Sequence, residues 1–264
     1  MQFATVDGVT LHYRLEGRQG GPGLIFIHSI GTDLRIWDGV VPHFADSFTI
    51  LRYDLRGHGL SDDPPAPYSV NDHVADLQGL VGLLNIETAT VIGISLGGLV
   101  AMGYAVAYPD RVKALVLCDT SAKIGSAMTW NDRIEILRHN GMDTLAQMVM
   151  PRWFSPTYIS QHPTEYRGYY NLLTRTSATG YSANCEAIRD ADLAEAVQNI
   201  TAKTLVMCGS EDQSTTPDQG RALAATIPNA RFAPVENAAH LSCIEQPDQL
   251  ASLIKSFCQE QANV

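Results

Sequence analysis

The chain has 264 residues, 45% of them hydrophobic and 17% charged. That is enough apolar matter for one large core, so intrinsic disorder is excluded and one α/β-type domain with a small insertion is expected. Lys plus Arg total 18 against 28 for Asp plus Glu, a net charge of −10, and there is no basic footprint for nucleic acid.

The opening MQFATVDGVTLHYRLEG alternates apolar and polar residues, which predicts a strand, a turn at Asp7-Gly8 and a second strand. It lacks the basic and apolar regions of a signal peptide. No uncharged apolar run approaches the ~20 residues that span a bilayer. The expected compartment is therefore the cytoplasm, with no membrane partner.

Short apolar runs follow at residues 24–28, 48–53, 90–94, 114–118, 204–208 and 231–235. Several are apolar almost throughout, as in strands covered on both faces. Segments of helical period separate them. In residues 69–84, Val70, Val74, Leu77, Leu80, Val81 and Leu84 form one stripe, with Ser69 as N-cap and Asp72 at the positive helix end. Strand–helix alternation implies a mostly parallel sheet with right-handed crossovers, and the hairpin adds an antiparallel edge.

The pattern breaks over residues 121–187. This stretch has no strand-like run and is rich in Met, Trp and Tyr. Its six basic and five acidic residues leave it at +1 and the rest of the chain at −11. A nearly neutral helical lid (121–187) inserted into an acidic α/β core (1–120 and 188–264) is the expected organisation. The five cysteines are odd in number and none has CxxC spacing, so neither a disulfide framework nor a zinc site is expected.

Gly93-Ile94-Ser95-Leu96-Gly97 matches G-x-S-x-G between a strand and a helix, the setting of a nucleophile elbow. A sharp turn there forces strained dihedrals on Ser95, and the glycines let neighbouring backbone pass. A serine hydroxyl needs a base, and the base needs an orienting carboxylate. Asp212 follows the 204–208 run, with Glu211 in reserve, and His240 follows the 231–235 run. The order Ser95, Asp212, His240 is that of an acyl hydrolase built on an elbow. The oxyanion needs N–H donors, for which Leu96 and Ile30 are the candidates. His28 is read as bracing the elbow loops. Asp54-Leu-Arg-Gly-His-Gly is read as a tight turn with Asp54 and Arg56 paired locally, His58 taking no part in chemistry.

HSIG, DLRGHG, GISLGG, GSED and NAAHL stand in the order seen in α/β-hydrolases, which the chain resembles over nearly its full length. Ser29 departs from the glycine that many relatives carry. The strings AKIG…TWN and CEAIRDADL resemble the 3-oxoadipate enol-lactonase family of bacterial aromatic catabolism (the β-ketoadipate pathway). The resemblance implies an eight-stranded sheet, a helical cap, and hydrolysis of the enol-lactone through Ser95, Asp212 and His240. It implies no cofactor and no metal. The substrate is an anion, so a local cation must attract it. Arg133, three residues after Trp130, shares a helix face with it, and the pair is expected to hold the carboxylate and wall the ring. Two other readings stay open: a broader carboxylesterase or C–C-bond hydrolase, and a butenolide receptor without turnover. A serine at position 95 disfavours a haloalkane dehalogenase, whose nucleophile is a carboxylate.

Overall fold

The structure is a computed structural model and describes residues 1–262. Strands β1 (Gln2–Val6) and β2 (Val9–Gly17) form an antiparallel hairpin. Its turn residues Asp7 and Gly8 both have positive φ, 46° and 85°, matching the right-handed twist of the flanking strands. Next come β3 (Gly23–Ile27), β4 (Thr49–Tyr53), α1 (Val70–Leu83), β5 (Ala89–Ile94), α2 (Leu96–Ala107) and β6 (Val112–Cys118). After a helical segment the alternation resumes with β7 (Lys203–Gly209) and β8 (Ala230–Val235).

The eight strands form one sheet in the order β1-β2-β4-β3-β5-β6-β7-β8. Both pairings of β2, with β1 and β4, are antiparallel, and the pairings from β4 through β8 are parallel. Every residue of β5 is buried, as are all of β6 except Lys113 and all of β7 except Lys203. Helices on both faces account for these continuous apolar runs. The edge strand β8 is only partly covered. Each fully buried Leu, Ile, Val or Phe stabilises the sheet by about 1.5–3 kcal/mol before the entropy of ordering is counted.

Helix α1 begins where its capping chemistry places it. Ser69 Oγ accepts from Asp72 N–H, and Asp72 Oδ2 accepts from Ser69 N–H at 2.8 Å. Its buried stripe packs on α2, where Gly103 lets Val70 and Val74 approach closely. His73 and Asp76 are buried on the same helix, which an apolar pattern does not reveal.

Between β6 and β7 the described chain holds four α-helices and no strand: α3 (Ala127–Trp153), α4 (Pro156–Gln161), α5 (Pro163–Thr174) and α6 (Ala178–Asp190). Helix α3 is broken at Gly141, whose φ of 78° and ψ of 175° are non-helical. The segment rests on the loops at the carboxyl ends of β3 and β4. A Cβ on Gly31 would meet Leu173, Trp153 and Tyr181, and Asn184 Nδ2 donates to Arg56 O at 3.1 Å. The chain ends with α7 (Pro217–Thr226), α8 (Ser242–Glu245) and α9 (Pro247–Ala262). No helix among the described residues is long and apolar enough to cross a membrane.

The expected pairing of Asp54 with Arg56 does not form. Asp54 accepts from His12 Nδ1 at 2.7 Å and from Leu34 and Leu60 N–H at 2.9 Å. Arg56 instead forks onto Asp76 of α1, with Nε and Nη2 each at 2.7 Å. The planar guanidinium matches a bidentate carboxylate better than a neighbour already filled by backbone donors.

Candidate active site

The turn from β5 into α2 puts Ser95 at φ 55° and ψ −117°, a region closed to relaxed non-glycine residues. The surrounding structure holds it there. Ser95 N–H donates to Cys118 O at 3.1 Å, and its carbonyl accepts from Gly98 N–H and from Thr120 Oγ1. A Cβ on Gly93 would lie 2.1 Å from Gly97 O, and one on Gly97 would lie 2.4 Å from Ile27 O. Only hydrogen fits at either place, which is the physical content of the motif.

Asp212 and His240 are brought together. His240 Nδ1 donates to Asp212 Oδ2 at 2.8 Å. Asp212 also accepts from Ser214 N–H at 2.6 Å, Thr215 N–H at 3.2 Å and Thr215 Oγ1 at 2.8 Å. Burial opposes charge on Asp212, but the facing imidazole and these donors outweigh it and hold the carboxyl below its usual range. Burial likewise opposes a proton on His240, but Asp212 outweighs it and raises the imidazole above 6.5. Glu211, the reserve acid, is exposed and points its N–H at Ala238 O.

Ser95 and His240 meet as walls of one cavity of about 150 Å³ rather than through a direct hydrogen bond. Ile30, Trp130 and Arg133 line it too. Leu96 opens α2, where a first-turn N–H has no intrahelical acceptor. The loop carrying Ile30 is held by two buried histidines. His28 Nδ1 donates to Ser29 O at 2.7 Å, and its Nε2 accepts from Leu55 N–H at 2.8 Å. His58 Nε2 accepts from Gly31 N–H at 2.8 Å. Burial pushes both imidazoles below 6.5, keeping them neutral and able to accept.

The Arg133 guanidinium lies over the Trp130 ring at 4.5 Å, and Trp130 Nε1 donates to Ile124 O at 2.6 Å. The same cavity exposes a cation that the motif reading passed over, Arg152, whose Nη2 donates to Gln213 O at 2.7 Å. Among the described residues neither arginine is paired with a carboxylate, and no carboxylate lines the cavity. Two wider surface clefts, of about 1000 and 740 Å³, lie elsewhere and contain neither Ser95 nor His240. The larger opens at the amino ends of β3 to β6, away from the strand ends where open α/β sheets bind ligands.

Four cysteines are buried and one is half-buried, all as free thiols. Motif spacing does not single out Asp119, a further buried acid at the end of β6. It follows a strand end just as Asp212 does, and that signal was available.

Comparison with known proteins agrees with this architecture. A family model for the alpha/beta hydrolase fold matches residues 22–247. The chain is 36% identical over 243 residues to 3-oxoadipate enol-lactonase 2 of Acinetobacter baylyi, covering 92% of this chain and 91% of that one. It is 31% identical to 3-oxoadipate enol-lactonase 1 of the same organism, with 95% and 94% covered. The crystal structure of the enol-lactonase from Burkholderia xenovorans superposes with a TM-score of 0.95 at 37% identity, covering 98% of this chain and all of that one.

Proposed function

This chain belongs to the α/β-hydrolase family, and from that premise we propose that it opens 3-oxoadipate enol-lactone to 3-oxoadipate, a step of bacterial aromatic catabolism. The observation that carries the reading is the cavity itself. Ser95 and His240 share it with two arginines and no carboxylate, so it suits an anionic acyl substrate. The enol-lactonases among the relatives support the choice of lactone.

In this mechanism His240 takes the Ser95 proton as Ser95 Oγ attacks the lactone carbonyl, and Asp212 holds the imidazole in the Nδ1–H tautomer. The N–H groups of Leu96 and Ile30 stabilise the tetrahedral oxyanion, each worth about 3 kcal/mol. The ring C–O bond breaks to release an enolate. This leaves more readily than an alkoxide and becomes a ketone by taking the proton held on the His240 imidazolium, which returns His240 to its neutral form. His240 then activates water, which cleaves the acyl-enzyme and regenerates Ser95. Arg133, with Arg152 beside it, pairs with the acetate arm while Trp130 walls the ring. The helices over residues 121–187 act as the cap that closes the cavity.

The decisive experiment follows the ultraviolet decay of enzymatically generated enol-lactone. Wild type should accelerate it, and Ser95→Ala should lose at least about 10³-fold in kcat. Equal rates for the two proteins reject Ser95 as nucleophile. A wild type that ignores the lactone but cleaves neutral aryl esters establishes the carboxylesterase reading instead.

A further inference from the structure

Asp119 is a buried acid without a part in the chemistry above, and its position is unusual. It is fully buried at the carboxyl end of β6. Its φ is 45°, a left-handed conformation that costs a non-glycine residue about 1–3 kcal/mol unless its surroundings impose it. Its backbone N–H donates to Met207 O at 2.9 Å. Its side chain reaches in two directions. Oδ1 accepts from Gly209 N–H at 2.7 Å, three residues before Asp212, and Oδ2 accepts from Ser242 Oγ, two residues after His240.

The residues on either side complete the arrangement. Cys118 O accepts from Ser95 N–H at 3.1 Å, and Thr120 Oγ1 donates to Ser95 O at 2.8 Å. The tripeptide 118–120 thus touches the segments carrying all three residues of the reacting set. The oxygens of Asp119 and Asp212 lie within 4.8 Å of Cys208 Sγ and of each other, a donor set that resembles a cation site. Those atoms are already spent. Cys208 Sγ donates to Thr215 O at 3.1 Å, and Asp212 is filled by His240, Ser214 and Thr215.

We propose that Asp119 is a positioning residue for acyl transfer: its one carboxylate ties the Asp212 loop to the His240 loop, while Cys118 and Thr120 fix the Ser95 turn from the same point. The inference rests on the reading of Ser95, Asp212 and His240 as the reacting set. Its physical basis is that β6 lies between β5 and β7, so the residues at its end reach the nucleophile, acid and base loops together. A displacement of about 1 Å between such loops is enough to cost about 10²-fold in rate.

The test uses covalent labelling of the full-length protein by an ethyl fluorophosphonate, read by intact mass, with kinact and KI measured separately. Asp119→Ala removes both arms and should lower kinact by about 10- to 100-fold with KI changed by less than about twofold. Asp119→Asn keeps an acceptor for Gly209 and offers an amide donor to Ser242 Oγ, so it should restore kinact to within about threefold of wild type. A purely structural role would lower the melting temperature and leave kinact alone. Should Asp119→Ala fail to fold, Ser242→Ala cuts the His240 arm by itself and should still lower kinact at constant KI. Wild-type kinact in folded Asp119→Ala or in Ser242→Ala overturns the proposal, as does an Asp119→Asn no faster than Asp119→Ala. Labelling that persists in Ser95→Ala would instead overturn the serine-hydrolase reading, so the two failures are told apart.

Discussion

The protonation of His240 rests on a balance that single substitutions shift. Asp212 raises the imidazole above 6.5 against the opposing effect of burial. In the proposed mechanism the imidazole must be neutral to take the Ser95 proton, so kcat/KM should rise with pH through a value above 6.5. Asp212→Asn removes the charge and offers an amide N–H where a carboxylate oxygen stood, so the Nδ1–H tautomer of His240 is no longer enforced. It should move that limb to lower pH and cost about 10⁴-fold in kcat, as read from pH–rate profiles of the two proteins. An unmoved limb would mean that another group sets it. At the other wall of the cavity, Arg133 stacks on Trp130 with no protein carboxylate of its own among the described residues. On the proposed pairing with the acetate arm, a charge-assisted hydrogen bond is worth about 1.5–3 kcal/mol, so Arg133→Ala should raise KM for the anionic lactone by roughly 10- to 100-fold. A neutral ester should be affected little, and equal effects on both would reject the pairing. Arg152 escaped a reading by motif because it lies 19 residues beyond Arg133 on the same broken helix, and only the fold returns it to the cavity.

Among the elements, the β5–α2 turn is held by close backbone contacts. A methyl group on Gly97 would lie 2.4 Å from Ile27 O and 2.6 Å from His28 O, both backbone atoms that cannot swing away. Gly97→Ala should therefore cost at least ~1–3 kcal/mol, or roughly 2–4 °C of melting temperature per kcal/mol, measurable by calorimetry. It should also lower kcat, because the displaced backbone is the loop that carries Ile30. A variant with wild-type melting temperature would show that the loop yields freely. This element was legible residue by residue, since apolar run, glycine spacing and following helix are all local. Helix α1 was legible for the same reason, through Ser69, Asp72 and its stripe. The partners that Asp54 and Arg56 take were not. Two charges two positions apart suggest a local pair, but His12 and Asp76 compete from 42 and 20 residues away, and they win.

At the level of the whole molecule, buried histidines govern behaviour in acid. Burial and then the Arg56 charge push His73 down to about 3, and burial lowers His28 and His58. Each stays neutral in the folded chain while the unfolded chain takes up a proton near 6.5. Stability from these groups is therefore complete above 6.5 and declines as pH falls, by up to about 1.4 kcal/mol per pH unit for each group. His240 runs the other way, since its raised value gives stability that is present below 6.5 and is lost as pH rises through its folded value. The melting temperature should drop steeply between pH 6 and 4.5, and His73→Leu should reduce that slope. Identical slopes in the two proteins would remove His73 from the account.

Composition, periodicity and motif order by themselves determined the parallel sheet, the hairpin edge and the helical segment after β6, and they singled out Ser95, Asp212 and His240 as the candidates for chemistry. These depend on local spacing, because a strand end and the loop after it are read from neighbouring positions. Tertiary structure alone decided which charges pair, which cations reach the cavity, and that Asp119 stands between the Asp212 and His240 loops. Those outcomes turn on distances between residues far apart in the chain, where hydrogen-bond geometry and burial select among many partners of equal chemical type.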